Sequence, residues 1–369
     1  MRREPSRISL FWGTLRGGGV ESIMITLVDE FLECGIDTDI VLMRREGALD
    51  DSVPSRARVF DLGAHNSIWG PPALAQYLRR QQPSVLLSAG YTNRIALLAR
   101  ELIRASTSIV ISEHRVVSDA DPNSSLPDWL LQQLTKWTYP LAEQMIAVSE
   151  GVADDVSQSL NFRREDFKVV YNPVIGPETF ERAEQTVEHP WFSDASPPLI
   201  LGVGRLVEQK DFSTLLQAFA KVRQNRRARL VILGEGNRRA TLEREAEQLG
   251  VGDFVSMPGF VANPLKYMAE ASVFVLSSRW EGLPTVLIEA MACGTPLVST
   301  DCPSGPFEIL KGGKYGKLVP VENPTALAAA IEEALNGHVP PAPRSALDRF
   351  RRDTLADQYL DILSSVAHN

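Results

Sequence analysis

The sequence predicts two doubly wound α/β halves, each a parallel sheet with helices on both faces. Three observations predict it. Short apolar runs alternate with helix-period segments along nearly the whole chain, which is the pattern of βαβ units. The chain has 369 residues, 44% of them hydrophobic, which exceeds one ordinary core and suits two domains. The alternation breaks between Ile175 and Pro198, a polar, proline-dotted stretch without clear periodicity that reads as a linker.

In order, the first half reads as strand Ile8 to Trp12, helix Glu21 to Cys34, strands Thr38 to Met43 and Arg58 to Leu62, and a helix near Pro72 to Arg80. Strand Val85 to Ser88, helix Arg94 to Ile103 and strand Ser108 to Ser112 follow. Trp129, Leu130, Leu134, Trp137 and Leu141 recur at helical spacing and are expected in the core rather than facing lipid. Strand Gln144 to Val148 leads to Ser149, an N-cap for a helix beginning near Gly151. The first domain is expected to end around Val169 to Pro173, giving domains 1–172 and 173–346.

The second series runs through strand Leu199 to Val203, helix Phe212 to Val222, strand Leu230 to Leu233, helix Arg238 to Leu249, strand Val255 to Met257 and helix Leu265 to Ala271. It continues with strand Val273 to Leu276, a helix opened by Pro284 and closed by Gly294, strands Pro296 to Ser299 and Gly316 to Val319, and helix Pro324 to Leu335. A proline-rich connector, 338–344, precedes a last helix, Leu347 to Val366.

A formal net charge of −8 argues against wholesale nucleic-acid or anionic-membrane binding. The acidity lies early: 19 Lys and Arg against 26 Asp and Glu up to residue 190, then 19 against 20. A local patch of Arg16, Arg44 and Arg45 remains a possible contact for a membrane surface. Three cysteines without metal-site spacing fit a reducing compartment, and no apolar run approaches the roughly 18 residues needed to span a bilayer. The expectation is therefore a cytoplasmic protein, at most peripheral at the inner face of a membrane.

Four stretches carry the chemistry. Gly13 to Glu21 is a glycine loop opening a helix, suited to close backbone approach to a ligand but equally to a plain strand–helix turn. Glu113-His114 follows a strand, at the end where open α/β sheets bind ligands, although a lone histidine is more often structural. Gly204-Arg205 and Lys210 sit in a loop after a buried strand, where two cations can reach an anion, with solvated loop charges as the alternative. The run Ser277 to Gly294 holds Glu281 ahead of a helix start and Glu289 on an otherwise apolar helix; an ordinary salt-bridged glutamate is the plainer reading of either. Gly234-Glu235-Gly236 mimics a dinucleotide fingerprint, but Arg239 stands where the third glycine belongs, and no acidic residue ends the next strand. A nicotinamide cofactor is thereby disfavoured. The pairs Asp37/Asp39 and Asp119/Asp121 mimic a metal-binding DxD and are expected to be solvated turn residues.

Taken together, the glutamate pair Glu281/Glu289, the Arg205/Lys210 pair and the glycine loop resemble the motifs of retaining glycosyltransferases of family 4. The resemblance implies the GT-B fold, two Rossmann-like domains facing each other across a cleft, with the C-terminal helix (347–369) crossing back to the first. It implies transfer of a hexose or N-acetylhexosamine from a nucleotide-diphosphate donor, expected to be UDP-linked, to a glycan or lipid-linked hydroxyl, without metal or cofactor. The loop Asp301 to Pro306 with Glu308 is similar to one in bacterial N-acetylhexosaminyltransferases of lipopolysaccharide-core and lipid-linked oligosaccharide assembly. Carried over, Arg205 and Lys210 grip the diphosphate, Glu281 approaches the sugar, and the backbone of Gly282, Leu283, Pro284 and Thr285 meets the phosphates. Glu289 binds the ribose. Gly18, Gly19 and Gly204 approach the donor, Gly234, Phe260 and Val261 surround the base, and His114 faces the reacting sugar. The acceptor is expected on the first domain, between Gly17 to Gly19 and His114. Two alternatives stay open: a GT-B sugar-nucleotide 2-epimerase, and a non-catalytic nucleotide-sugar binder.

Overall fold

The computed structural model describes residues 7–116, 127–192 and 197–367. It divides into two compact units, 1–173 with 350–369, and 174–349. In the first, β1 (Ile8–Trp12), α1 (Gly19–Glu33), β2 (Thr38–Leu42), β3 (Arg58–Asp61), α2 (Gly70–Gln81), β4 (Val85–Ala89), α3 (Thr92–Ile103), β5 (Ser108–Glu113), α4 (Asp128–Thr138), β6 (Gln144–Ala147), α5 (Glu150–Leu160) and β7 (Phe167–Val169) form a seven-stranded sheet and its helices. Every pairing is parallel, in the order β3-β2-β1-β4-β5-β6-β7. The strands β1, β2, β4 and β5 are buried at every residue, as expected where helices cover both faces. Ser149 caps α5 by accepting the amide of Val152 at 3.1 Å.

In the second unit the order is α6 (Pro177–Ala183), β8 (Leu199–Val203), α7 (Phe212–Asn225), β9 (Arg229–Leu233), α8 (Arg239–Gln248), β10 (Val255–Gly259), α9 (Leu265–Glu270), β11 (Val273–Leu276), α10 (Thr285–Ala292), β12 (Leu297–Thr300), α11 (Pro306–Ile309), β13 (Lys317–Val319) and α12 (Pro324–Leu335). Its six strands are again parallel, ordered β10-β9-β8-β11-β12-β13. One core cluster runs from Ile200 and Ile232 through Phe212, Leu215, Phe219 and Val222 of α7 to Leu327 and Ile331 of α12. The chain then returns to the first unit as α13 (Arg352–Val366), which packs on α1; Ser108 of β5 donates its hydroxyl to the carbonyl of Val366 at 2.8 Å.

The structure corrects several expectations. Residues 175–198 are not structureless, because α6 lies there and packs on α9; at about two turns it is too short for a periodicity signal. The last helix begins at Arg352, after a separate 3-10 segment Arg344–Phe350. Trp129 and Trp137 of α4 are 67% and 66% exposed, since Thr135 and Thr138 take the inward face that the tryptophans were expected to fill. Asp39 is buried, not solvated: it accepts from Arg58 and from the hydroxyl of Tyr77. Asp119 and Asp121 lie outside the described residues. Arg16 and Arg44 both pair with Glu46, and Arg45 with Asp50, so the three arginines of the basic patch face two carboxylates.

Candidate active site

In each doubly wound sheet the chain reverses direction between two neighbouring strands, and the crevice beyond their carboxyl ends is where such sheets bind ligands. In the second unit this switch point falls between β8 and β11. The loop after β8 carries Gly204, Arg205 and Lys210; the loop after β11 carries Glu281 and leads into α10. Seventy residues apart in sequence, the two loops are stitched together. The hydroxyl of Ser277 donates to the carbonyl of Lys210 at 2.7 Å, the amide of Arg279 donates to the carbonyl of Gln209 at 2.9 Å, and the side-chain amide of Gln209 donates to the carbonyl of Trp280 at 2.9 Å.

The two cations of this loop differ. Arg205 is exposed, and its guanidinium has no ion pair among the described residues. Lys210 donates its ammonium to Oε1 of Glu281 at 2.5 Å, with side-chain exposures of 14% and 7%. The hydroxyl of Ser278 donates to the same oxygen at 2.6 Å. A carboxylate this buried needs such partners. Both contacts fall on Oε1.

Pro284 is the residue preceding the first turn of α10, so the amides of Thr285 and Val286 open the helix without intrahelical acceptors. The loop after β12 fixes this entrance. Ser304 donates its hydroxyl to the carbonyl of Gly282 at 2.7 Å, and Gly305 follows at φ 87°, where a Cβ would stand 2.5 Å from Cδ of Pro284. Glycine is required there both for its left-handed backbone and for the approach. Glu289, one turn further along α10, is half-buried rather than buried. It contributes to holding the thiol of Cys293 up at about 12, with burial as the larger cause.

Beside β8, the loop after β9 comes equally close. Gly234 has φ 137°, its amide donates to the carbonyl of Gly259 at 2.8 Å, and a Cβ there would meet the carbonyl oxygen of Gly204 at 2.0 Å. Arg239, where a dinucleotide fingerprint would have glycine, holds Glu235 at 2.6 Å and the carbonyl of Met257 at 2.9 Å. Phe260 projects from the end of β10, 64% exposed, and Val261 next to it is half-buried.

In the first unit, Gly18 precedes α1 and Gly19 begins it, near the switch point between β1 and β4. His114 stands at the end of β5, half-buried, with Nε2 3.0 Å from the hydroxyl of Ser112. Burial lowers its pKa to about 4, so the imidazole is neutral at physiological pH. Beneath it lies a buried polar chain that sequence reasoning missed. The hydroxyl of Tyr139 donates to Glu113 at 2.5 Å, and Asn93 donates to Tyr139 and to the carbonyl of Ser112. Burial pushes the Glu113 carboxyl up, only partly offset by Tyr139. The signal available was a carboxylate ending the buried strand Ser108–Glu113, whose middle, Ile109 to Ile111, is apolar.

Two family models match the chain: Glycosyltransferase Family 4 over residues 17–175, and Glycosyl transferases group 1 over residues 184–349. Among curated proteins, the chain is 30% identical over 243 residues to the N-acetylgalactosamine-N,N'-diacetylbacillosaminyl-diphospho-undecaprenol 4-alpha-N-acetylgalactosaminyltransferase of Campylobacter jejuni. That match covers 66% of this chain and 64% of the relative. It is 27% identical over 366 residues to the lipopolysaccharide core biosynthesis glycosyltransferase LpsE of Rhizobium meliloti, covering 95% and 97% of the two chains. Among solved structures, a glycosyltransferase from Rickettsia africae superposes with a TM-score of 0.82 at 15% identity, covering 99% of each chain. Anabaena HepE in complex with UDP and glucose superposes with 0.76 at 20% identity, covering 97% of this chain and 99% of that one.

Proposed function

The chain belongs to the family 4, group 1 glycosyltransferases of GT-B fold, and on that premise we propose that it is a retaining enzyme moving a hexose or N-acetylhexosamine from a UDP-linked donor to a glycan or lipid-linked hydroxyl. The observation that supports this reading is the β8/β11 switch point, where the loop carrying Arg205 and Lys210 is hydrogen-bonded to the loop that leads into α10, a combination of cations and a helix start suited to a diphosphate. The bond from the sugar's C1 to the diphosphate breaks, C1 bonds to the acceptor oxygen on the same face, and the acceptor's proton passes to the departing phosphate. Charge grows on the leaving oxygens as that bond breaks. Fixed cations and helix amides therefore stabilise the transition state more than the bound donor. They also take the part that a divalent metal would otherwise play, so EDTA is expected to leave the rate intact.

Glu281, whose Oε1 is held by Lys210 and Ser278, keeps Oε2 for the sugar. Glu289 meets the ribose, and Phe260 offers a ring face to the base. His114, neutral, donates or accepts at a sugar hydroxyl without adding charge. The acceptor side is the glycine loop and His114. A lipid-linked acceptor is supported by the Campylobacter relative's name and by the exposed Trp129 and Trp137, residues suited to a membrane–water interface. Among the described residues no helix is long and apolar enough to cross a membrane.

The test is incubation with UDP-hexoses and UDP-N-acetylhexosamines, with and without membrane lipid extract, followed by NMR of the product anomer. Release of UDP with a new α-glycoside from an α-donor supports the reading. An isomerised donor without UDP release identifies a 2-epimerase, and binding without any conversion identifies a binder.

A further inference from the structure

We propose that Arg279 is a positioning residue that fixes Lys210 for the diphosphate; the inference rests on the donor-site reading above. Arg279 reaches carboxylates on two other segments. Nη1 lies 2.9 Å from Glu208, Nε 3.4 Å from Asp211 and Nη2 2.9 Å from Glu322. Glu208 and Asp211 flank the turn that carries Lys210, and Glu322 precedes α12.

Two of these three carboxylates belong to residues with left-handed backbone, Asp211 at φ 43° and Glu322 at φ 53°. Such conformations persist in non-glycine residues only where the surroundings hold them. Asp211 also caps α7, accepting the amide and hydroxyl of Thr214 at 3.3 and 2.7 Å. The amide of Arg279 bonds the carbonyl of Gln209, so both ends of the residue grip the lysine turn. One guanidinium therefore ties the turn on one side to Glu281's loop and on the other to the start of α12.

Glu208 and Glu322 are 67% and 59% exposed, and exposed pairs contribute little to global stability, while Asp211, 3% exposed, keeps the amide and hydroxyl of Thr214 when Arg279 is removed. The consequence of losing Arg279 is thus local: the Lys210 turn loses its fixed place, and a misplaced charge is a weaker phosphate ligand. Lysine at position 279 keeps the charge but not the three-way fork.

The experiment measures calorimetric affinity for UDP and for inorganic diphosphate in the unsubstituted protein, Lys210→Gln, Arg279→Gln, Arg279→Lys and Lys210→Gln/Arg279→Gln, with melting curves for each. Lys210→Gln keeps a donor for Glu281 while removing the charge. Expected are losses of about tenfold or more for Lys210→Gln and about fivefold for Arg279→Gln, with Arg279→Lys between Arg279→Gln and the unsubstituted protein. The double variant should be no weaker than Lys210→Gln alone, because the two residues act as one unit. Arg279→Gln should melt close to the unsubstituted protein; if it does not fold, Arg279→Lys carries the same comparison. Affinity lost in Lys210→Gln but kept in Arg279→Gln, or losses that multiply in the double variant, overturn the role of Arg279 and leave the donor site standing. No binding by the unsubstituted protein, or no effect of Lys210→Gln, overturns the donor-site reading and this inference with it.

Discussion

Replacing Lys210 by alanine tests the pair at the centre of the candidate site, and its effects on stability and on turnover separate. The ammonium and carboxylate meet at 2.5 Å with 14% and 7% of their side chains exposed. Removing one partner of a buried pair costs about 3–5 kcal/mol, because the other charge stays desolvated. Glu281 keeps the hydroxyl of Ser278 at 2.6 Å, and a hydrogen bond to a charged group offsets about 1.5 kcal/mol. The net expectation is a loss of about 1.5–3.5 kcal/mol. At roughly 2–4 °C per kcal/mol for a unit of this size, the melting temperature falls by about 3–14 °C. Lys210→Gln/Glu281→Gln removes both charges and should recover most of that loss, since a neutral pair of similar shape leaves no stranded charge. Turnover should not recover. Losing one preorganised electrostatic donor costs about 10² to 10³ in rate, in the double variant as in the single. Differential scanning calorimetry beside a UDP-release assay reads both quantities. Should Lys210→Ala melt within about 2 °C of the unsubstituted protein, or should the double variant melt below it, the pair is not a buried, coupled one and the reasoning fails.

Other expectations follow from single contacts. Glu289→Gln should weaken donor binding by about 1.5–3 kcal/mol, seen as a raised donor KM with turnover nearly kept; a fall in kcat alone would reverse the roles assigned to Glu289 and Lys210. Gly305→Ala places a Cβ 2.5 Å from Pro284 at φ 87°, and should cost about 1–3 kcal/mol while weakening UDP binding, since the entrance to α10 must shift; unchanged melting and affinity would show that the loop adapts. His114, lowered to about 4 by burial, binds its proton more readily in the unfolded chain. Its contribution is therefore complete above pH 6.5 and is lost as pH falls toward 4, by at most about 3 kcal/mol. Glu113, raised by burial, acts in the opposite sense, so the comparison is between the unsubstituted protein and His114→Gln: the denaturation midpoint at pH 7 minus that at pH 4.5 should be smaller in the variant, and an unchanged value would count against the half-buried, neutral imidazole.

The sequence by itself determined the longer elements and their order, while the short α6, β7 and α11 escaped it. Short continuous apolar runs bounded by turn residues read as strands buried on both faces, and caps such as Ser149 and Pro284 mark helix starts locally, so β1, β8, β11 and α12 were readable almost to the residue. Motifs confined to one loop, the glycines before α1 or Arg205 with Lys210, were readable for the same reason: their signal lies within a few residues of chain. What depends on neighbours distant in sequence was not. The tertiary structure alone places β8 beside β11, and so brings the amine of Lys210 to Glu281 and the guanidinium of Arg279 to Asp211. It also buries Asp39 under Arg58 and Tyr77 while leaving Trp129 and Trp137 in solvent, against both the polarity of the one and the hydrophobicity of the others. Periodicity gives a helix its faces, but only packing against the rest of the fold decides which face turns inward and which carboxylate finds a cation.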